Sequence, residues 1–493
     1  MPKQSIEWHS TGSGKDEYPR IGLFLDGEWV YDRADAGVVV NPSTEEVLAT
    51  VPKATDSDLQ RALGAAARGF LIWRDTAPTE RVRVMQRALH LLRERKESIA
   101  RILTLEHGKP LSHARAEIER SLNFYEWEMG QALRAYGAIV PSAPQMQKMV
   151  TRQPIGPVFA ATPWNSPMGS AARKTSAALA AGCSVILKPA EETPGTACEL
   201  VRCFEEAGLP AGVLNLVLGD PEHISSVLIA SPAVRMVTFT GSTGVGKHLT
   251  QLAAKVMKPV AMELGGHAPV LVGENVDAVA IARMAAIVKT RGSGQICTAP
   301  SRFIVHRNSY SEFVAAFGKA LDELRMGDGL DPEVEVGPVS NARRLAAAQA
   351  LVADARQRGA RVVAGGDRVG DRGFFFAPTL LAEVPLDADV MTTEPFCPIA
   401  ACVSAADLDE AIAIANSLPF GLAGYAFTNS LEEAEQINRR LECGMLSINH
   451  FDTPDADTPF GGVKESGLGR EGGPNSLDAY LVTKTILQYT AKV

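Results

Sequence analysis

The chain has 493 residues, 46% hydrophobic and 22% charged, with 49 Lys and Arg against 57 Asp and Glu for a net charge of −8. That length exceeds one core and calls for two or three domains. The mildly acidic, evenly spread charge gives no reason to expect a nucleic acid or an anionic membrane as partner. Seven scattered cysteines without a CxxC pair point to free thiols in a reducing, cytoplasmic setting, and nine histidines without HExxH spacing point away from a metal.

Residues 1–20 lack the apolar core of a signal peptide and read as a loose polar arm, and no apolar run is long enough to span a bilayer. Residues 58–135 read mostly as helix, with heptad-like apolar spacing in RVRVMQRALHLLRERKESIARIL. From residue 157 short apolar runs alternate with helical stretches. GPVFAAT, SVILKP, VLNLVLG and RMVTFTG read as strands, with SAARKTSAALAAG and PGTACELVRCFEEAG as helices between them. Strand–helix alternation implies a parallel sheet covered on both faces, whose ligands sit at the carboxyl ends of the strands. Here those ends are Thr162–Asn165, Lys188–Glu191 and Thr240–Gly246. A second α/β segment runs from about Pro269 to Ile448, and the chain closes with a strand-like YLVTKTILQYT.

Several short stretches carry chemistry. GLGREG (467–472) fits GxGxxG but follows no strand, so it lacks the context of a dinucleotide fingerprint. GSTGVGK (241–247) follows a strand, yet His248 stands where a P-loop needs Ser or Thr for Mg²⁺. A turn at a helix N-terminus remains, suited to a pyrophosphate. Cys297, in GSGQICTAP, sits among small residues that let a ligand approach, but a thiol needs a base or a positive neighbour before it can attack. Glu263 ends an apolar strand in AMELGG, a setting that raises a carboxyl pKa and makes a base, or leaves a strand-end charge in solvent. Asn165 can donate to an oxyanion or satisfy a turn, and Lys188 with Glu191 can hold a ribose or form a surface ion pair.

PWN, KPAE, FTGSTGVG, ELGG, GQIC, EPF and PFGGVKESGLGREGG, in this order from about residue 20 to 485, resemble the NAD(P)-dependent aldehyde dehydrogenase superfamily. The resemblance implies two doubly wound α/β domains plus a small β oligomerisation element. Residues 1–132 and 153–266 would bind the cofactor, 267–458 would carry catalysis, and 133–152 with 459–493 would bridge a homodimer or homotetramer. It implies Cys297 as the nucleophile, Asn165 as an oxyanion donor and Glu263 as the base that activates water. Thr162, Pro163, Trp164, Lys188, Glu191, Gly241, Ser242, Glu394 and Phe396 would line the cofactor site, with NAD favoured over NADP because a carboxylate at Glu191 repels a 2′-phosphate. Cys397 departs from the pattern, since the family usually has glycine after EPF.

Within the superfamily, ARKTSAALAAGCSVILKPAEETP and SINHF resemble the succinic semialdehyde and 2-oxoglutaric semialdehyde dehydrogenases. That likeness implies Arg173 and Arg291 as a clamp for the substrate's distal carboxylate. Asp455 and Asp457 would oppose such a clamp if they faced the tunnel. A neutral aliphatic or aromatic aldehyde is the alternative substrate, and a cofactor-independent cysteine hydrolase is the alternative class.

Overall fold

The computed structural model describes residues 18–490; residues 1–17 of the expected N-terminal arm and residues 491–493 lie outside that range. Four helices, Asp56–Asp75, Pro78–Glu94, Lys96–His107 and Leu111–Ala132, occupy the stretch whose apolar spacing is helical. Their buried residues, including Trp73, Met85, Leu103 and Tyr125, join one core with the strands that follow.

That core surrounds an eight-stranded sheet. Its five central strands, Leu214–Leu216, Val185–Lys188, Val158–Ala161, Met236–Thr240 and Val260–Glu263, are parallel neighbours in that order. The strands alternate with the helices Pro167–Ala181, Pro194–Glu206 and Thr243–Ala254. Antiparallel edges come from both ends of the chain. Leu23–Leu25 and Glu28–Val30 close one side, and Gly467–Leu468 pairs with Met262–Glu263 on the other. From Val158–Ala161 the chain first winds outward to Val185–Lys188 and Leu214–Leu216, then returns to Met236–Thr240 on the opposite side. The winding therefore reverses between Val158–Ala161 and Met236–Thr240, and a crevice opens at the carboxyl ends of those two strands.

A second sheet of seven strands has six in parallel, Thr379–Ala382, Ile399–Ala405, Arg302–His306, Pro269–Val272, Ala423–Phe427 and Met445–Ile448, with Arg361–Ala364 antiparallel at one edge. Its two faces bury separate clusters. Along Ile399–Ala405, Ile399, Ala401 and Val403 enter one and Ala400 and Cys402 the other, as the period of two requires. A three-stranded antiparallel sheet, Leu481–Tyr489 with Met146–Pro154 and Ala138–Val140, stands apart from both. The GxGxxG match falls on the edge strand Gly467–Leu468 and no helix follows it. No helix among the described residues is long and apolar enough to cross a membrane.

Candidate active site

A cleft of about 800 Å³ opens between the two large sheets. The first sheet presents strand ends to it. After Val158–Ala161 come Pro163, Trp164 and Asn165, and after Met236–Thr240 come Gly241 and Ser242, with Glu263 closing its own strand. The second sheet contributes differently. Cys297 precedes the strand Arg302–His306 and so lies at its amino end.

Cys297 is held by an unusual turn. The helix Ala278–Thr290 gives way to Gly292, Ser293 and Gly294 with φ of 54°, 57° and 71°. A left-handed run needs glycine where space is short, and a Cβ on Gly294 would lie 2.3 Å from the carbonyl oxygen of Cys397. Ser293 Oγ donates to the Gly337 carbonyl at 2.8 Å. Gln295, fully buried, accepts from the Ser340 amide at 2.9 Å and donates Nε2 to the Gly292 carbonyl at 3.2 Å. These bonds fix the peptide that presents the thiol.

Asn165 Nδ2 donates to the Gln295 carbonyl at 2.9 Å, which places the amide beside the Cys297 peptide with one N–H still available. Its own carbonyl accepts from Lys109 Nζ at 2.9 Å. Lys109 in turn pairs with Glu117 at 2.5 Å, and Glu117 accepts from the amides of Met168 and Gly169 in the first turn of Pro167–Ala181. An anion at a helix N-terminus is favourable, so this chain of contacts locks the loop 162–166.

Glu263 is 4% exposed and its Oε2 has no hydrogen-bond partner. Burial above all, then the nearby Glu471 carboxylate, pushes its pKa well above the ordinary range, against the pull of Lys174 and Arg173. Burial also pushes the Cys297 thiol up to about 12, with Glu394 and Glu263 adding to it and Arg173 opposing. The buried pair Lys174–Glu471, 2.7 Å apart with Lys174 also donating to Thr238 Oγ1 at 3.1 Å, is missed by the sequence reading. A lone lysine in the small-residue helix MGSAARKTSAALAA was the available signal, because a charge there must find a partner.

Most of the residues expected to hold the cofactor converge on this cleft, and three do not. Pro163, Trp164, Gly241, Ser242, Glu394 and Phe396 line it, whereas Thr162, Lys188 and Glu191 lie outside its wall. Trp164 and Phe396 meet edge to face at 5.5 Å. Lys188 Nζ bonds to Glu191 and to the Pro189 carbonyl, and Glu191 also accepts from the Gly219 amide at 3.4 Å. The pair thus spans the ends of neighbouring strands. Glu394 accepts from the Gly266 amide at 3.1 Å, and burial raises its carboxyl to about 7. A Cβ on Gly265 would stand 2.6 Å from Glu394 Oε2, so a larger residue there would displace the Glu394 carboxyl. Ser242 caps the helix Thr243–Ala254, whose first amides face the crevice. Free amides and a carboxyl cradle are donors and acceptors a dinucleotide needs.

Arg173 and Arg291 both line the cleft, and neither forms an ion pair among the described residues. Arg173 lies over the rings of Phe124 and Phe460, 3.9 and 4.6 Å from their centroids, and burial lowers its pKa to about 10. Asp455 and Asp457 are exposed and outside the wall, though the Asp455 carboxylate still acts on the cleft-lining Arg120. A third guanidinium, Arg120, also lines the cleft and was not anticipated. Cys397 is fully buried and belongs to one core cluster of the second sheet, while Cys297 packs against the other. All seven cysteines are free.

The profile of the aldehyde dehydrogenase family matches residues 29–486. The chain belongs to that family. This aldehyde dehydrogenase therefore oxidises an aldehyde to a carboxylic acid, with the NAD(P) cofactor typical of the family, which sets aside the hydrolase. It is 45% identical, over 95% of its length and 98% of the relative's, to the "putative 4-(hydroxymethyl)benzenesulfonate dehydrogenase" of Comamonas testosteroni. It is 39% identical to the succinate semialdehyde dehydrogenase of Acinetobacter baylyi, covering 95% and 97% of the two chains. The crystal structure of a succinate-semialdehyde dehydrogenase from Burkholderia pseudomallei superposes with a TM-score of 0.94 at 36% identity, covering 96% and 99%.

Proposed function

We propose that this aldehyde dehydrogenase oxidises an aldehyde carrying an anion at its far end, preferring NAD, with Cys297 as nucleophile. The observation that supports it most is the meeting, in one cleft, of a fixed thiol, a neighbouring amide and a buried carboxyl with an unpartnered oxygen. Sγ of Cys297 adds to the carbonyl carbon while its proton passes to the Glu263 side; a thiol held neutral by burial needs that acceptor. Asn165 Nδ2 and the Cys297 amide donate to the oxygen as it takes negative charge. A nicotinamide held beside Cys297 by Glu394 and Phe396 would supply the hydride acceptor for this step. Cys297 then carries the acyl group as a thioester, and Glu263 takes a proton from the attacking water so that the acid leaves and the thiol is restored.

Glu191 and Lys188 would meet the adenosine ribose, Gly241 and Ser242 the pyrophosphate, and Glu394 the nicotinamide ribose, with Thr162, Pro163, Trp164 and Phe396 around them. The division at 1–132 with 153–266, 267–458, and 133–152 with 459–493 fits this use, the outer three-stranded sheet joining subunits into a dimer or tetramer in the cytoplasm.

The unpaired Arg173 and Arg291 favour an anionic substrate over a neutral one. A semialdehyde acid such as succinic semialdehyde is the simplest. The rings of Phe124, Tyr425, Phe451 and Phe460 in the same wall, together with the benzenesulfonate relative, support a second reading, an aryl aldehyde with an anionic substituent. Cofactor reduction with succinic semialdehyde and hexanal in parallel tests the class. A kcat/KM for the semialdehyde at least tenfold higher is expected, and equal use of hexanal would overturn the anion reading.

A further inference from the structure

Three arginines from three separate elements line the same stretch of cleft: Arg120 on Leu111–Ala132, Arg173 on Pro167–Ala181, and Arg291 just beyond Ala278–Thr290. Among the described residues none of them has a carboxylate partner within ion-pair distance. Arg120 is pinned at one end only. Its NH2 donates to Thr453 Oγ1 at 3.0 Å and to the Pro454 carbonyl, while its Nε and NH1 have no hydrogen-bond partner among the described residues. Arg173 packs against the rings of Phe124 and Phe460, and its guanidinium makes no side-chain hydrogen bond or ion pair among the described residues.

Cations this close repel one another. Arg120 lowers the pKa of Arg173 and Arg291 that of Arg120, in each case after burial and against the stronger pull of a carboxylate, Glu471 on Arg173 and Asp455 on Arg120. Burying the guanidinium groups of Arg120 and Arg173 is costly, and among the described residues no carboxylate closes an ion pair with either, while Arg291 stands exposed at the cleft. Asp455, the acid nearest in influence to Arg120, is exposed outside the wall.

We propose that Arg120 is the third arm of an anion cradle with Arg173 and Arg291, and that it selects a distal sulfonate over a carboxylate on an aromatic aldehyde. This rests on the reading that the cleft takes an anionic aldehyde. A carboxylate is planar with two oxygens, and two forks saturate it. A sulfonate is pyramidal with three oxygens, one for each guanidinium, and it remains ionised at any working pH. The ring that carries it would lie among Phe124, Phe451, Phe460 and Tyr425; the last stands 5.3 Å from Phe451 and is fixed by its bond to the Thr298 carbonyl, next to Cys297. The signal in the sequence is faint, since Arg120 lies in an amphipathic helix rich in exposed charge.

The test compares wild type with Arg120→Met and Arg120→Lys on 4-formylbenzenesulfonate, 4-formylbenzoate and benzaldehyde, with saturating cofactor, read as kcat/KM. Wild type should prefer the sulfonate to the carboxylate at least fivefold. Arg120→Met should lower sulfonate use roughly 10- to 100-fold, mainly through KM, lower carboxylate use less, and affect benzaldehyde least. Arg120→Lys should recover only part of the loss, because an ammonium lacks the fork. The product 4-sulfobenzoate should raise the melting temperature of wild type more than that of Arg120→Met, a readout independent of turnover. If Arg120→Met does not fold, Thr453→Val, which removes one anchor, should shift the sulfonate-to-carboxylate ratio in the same direction. An unchanged ratio, or an equal loss on all three aldehydes, would overturn the role of Arg120. Wild type using benzaldehyde as well as both anions would instead overturn the underlying anion reading.

Discussion

The two large sheets meet at one cleft but serve it by opposite ends. The first follows the rule for doubly wound sheets: Asn165, Gly241 and Glu263 emerge at carboxyl ends, beside the point where strand order reverses. The second brings Cys297 in ahead of its strand Arg302–His306, on a left-handed turn locked by Gln295. Strand topology alone accounts for the first placement. The second depends on one backbone conformation that only small residues tolerate, so the nucleophile sits where local strain, not topology, puts it.

Perturbing the second sheet's contribution should therefore have the largest effect. Cys297→Ala is expected to lower acid formation roughly 10⁴-fold or more with the fold intact, measured by cofactor reduction and circular dichroism. Wild-type-like turnover would remove the residue from the mechanism. On the first sheet's side, Glu263→Gln should slow turnover by about 10²–10⁴-fold and slow the burst of reduced cofactor as well, since thiol addition and thioester hydrolysis both lose their proton acceptor. The pH dependence has a definite sign. The Glu263 carboxyl is raised by burial and by Glu471, so the active carboxylate grows as pH rises and hydrolysis accelerates above the ordinary carboxylate range. In Glu263→Gln that limb should flatten.

Gly294→Ala separates the turn from the chemistry. With φ at 71° and a backbone oxygen 2.3 Å from the new Cβ, it should cost about 1–3 kcal/mol and depress both melting temperature and activity. An unaltered melting temperature would mean the turn can relax. The smallest effect is expected farthest from the sulfur. Glu191→Ser should narrow the preference for NAD over NADP by roughly threefold to tenfold in kcat/KM, and an unchanged ratio would separate Glu191 from the ribose.

Local patterns carried much of this in the sequence. The alternation from residue 157, the strand end at Glu263 and the small residues around Cys297 each depend on neighbours within a few positions, and all are found where they were expected. What could not be read is what pairs across the chain. Lys174 and Glu471 are 297 residues apart, and Asn165 reaches Gln295 across 130. The edge strand Leu23–Leu25 joins its sheet by a single register pair with Leu216, too little to imprint a pattern. Nothing local marks Arg120, because helical periodicity tells which face is apolar but not what stands opposite it.

The contact between Gly294 and the Cys397 carbonyl sets terms for anyone redesigning this protein. Backbone meets backbone there, so no choice of rotamer can make room, and position 294 is closed to any side chain on the nucleophile's side. The opposite wall is side chain against side chain, from Arg120 and Phe124 to Phe460, where a change of volume or charge alters which aldehyde is held rather than the nucleophile's backbone. A library for new aldehydes belongs on that wall alone, and the reaction itself can be carried over unchanged.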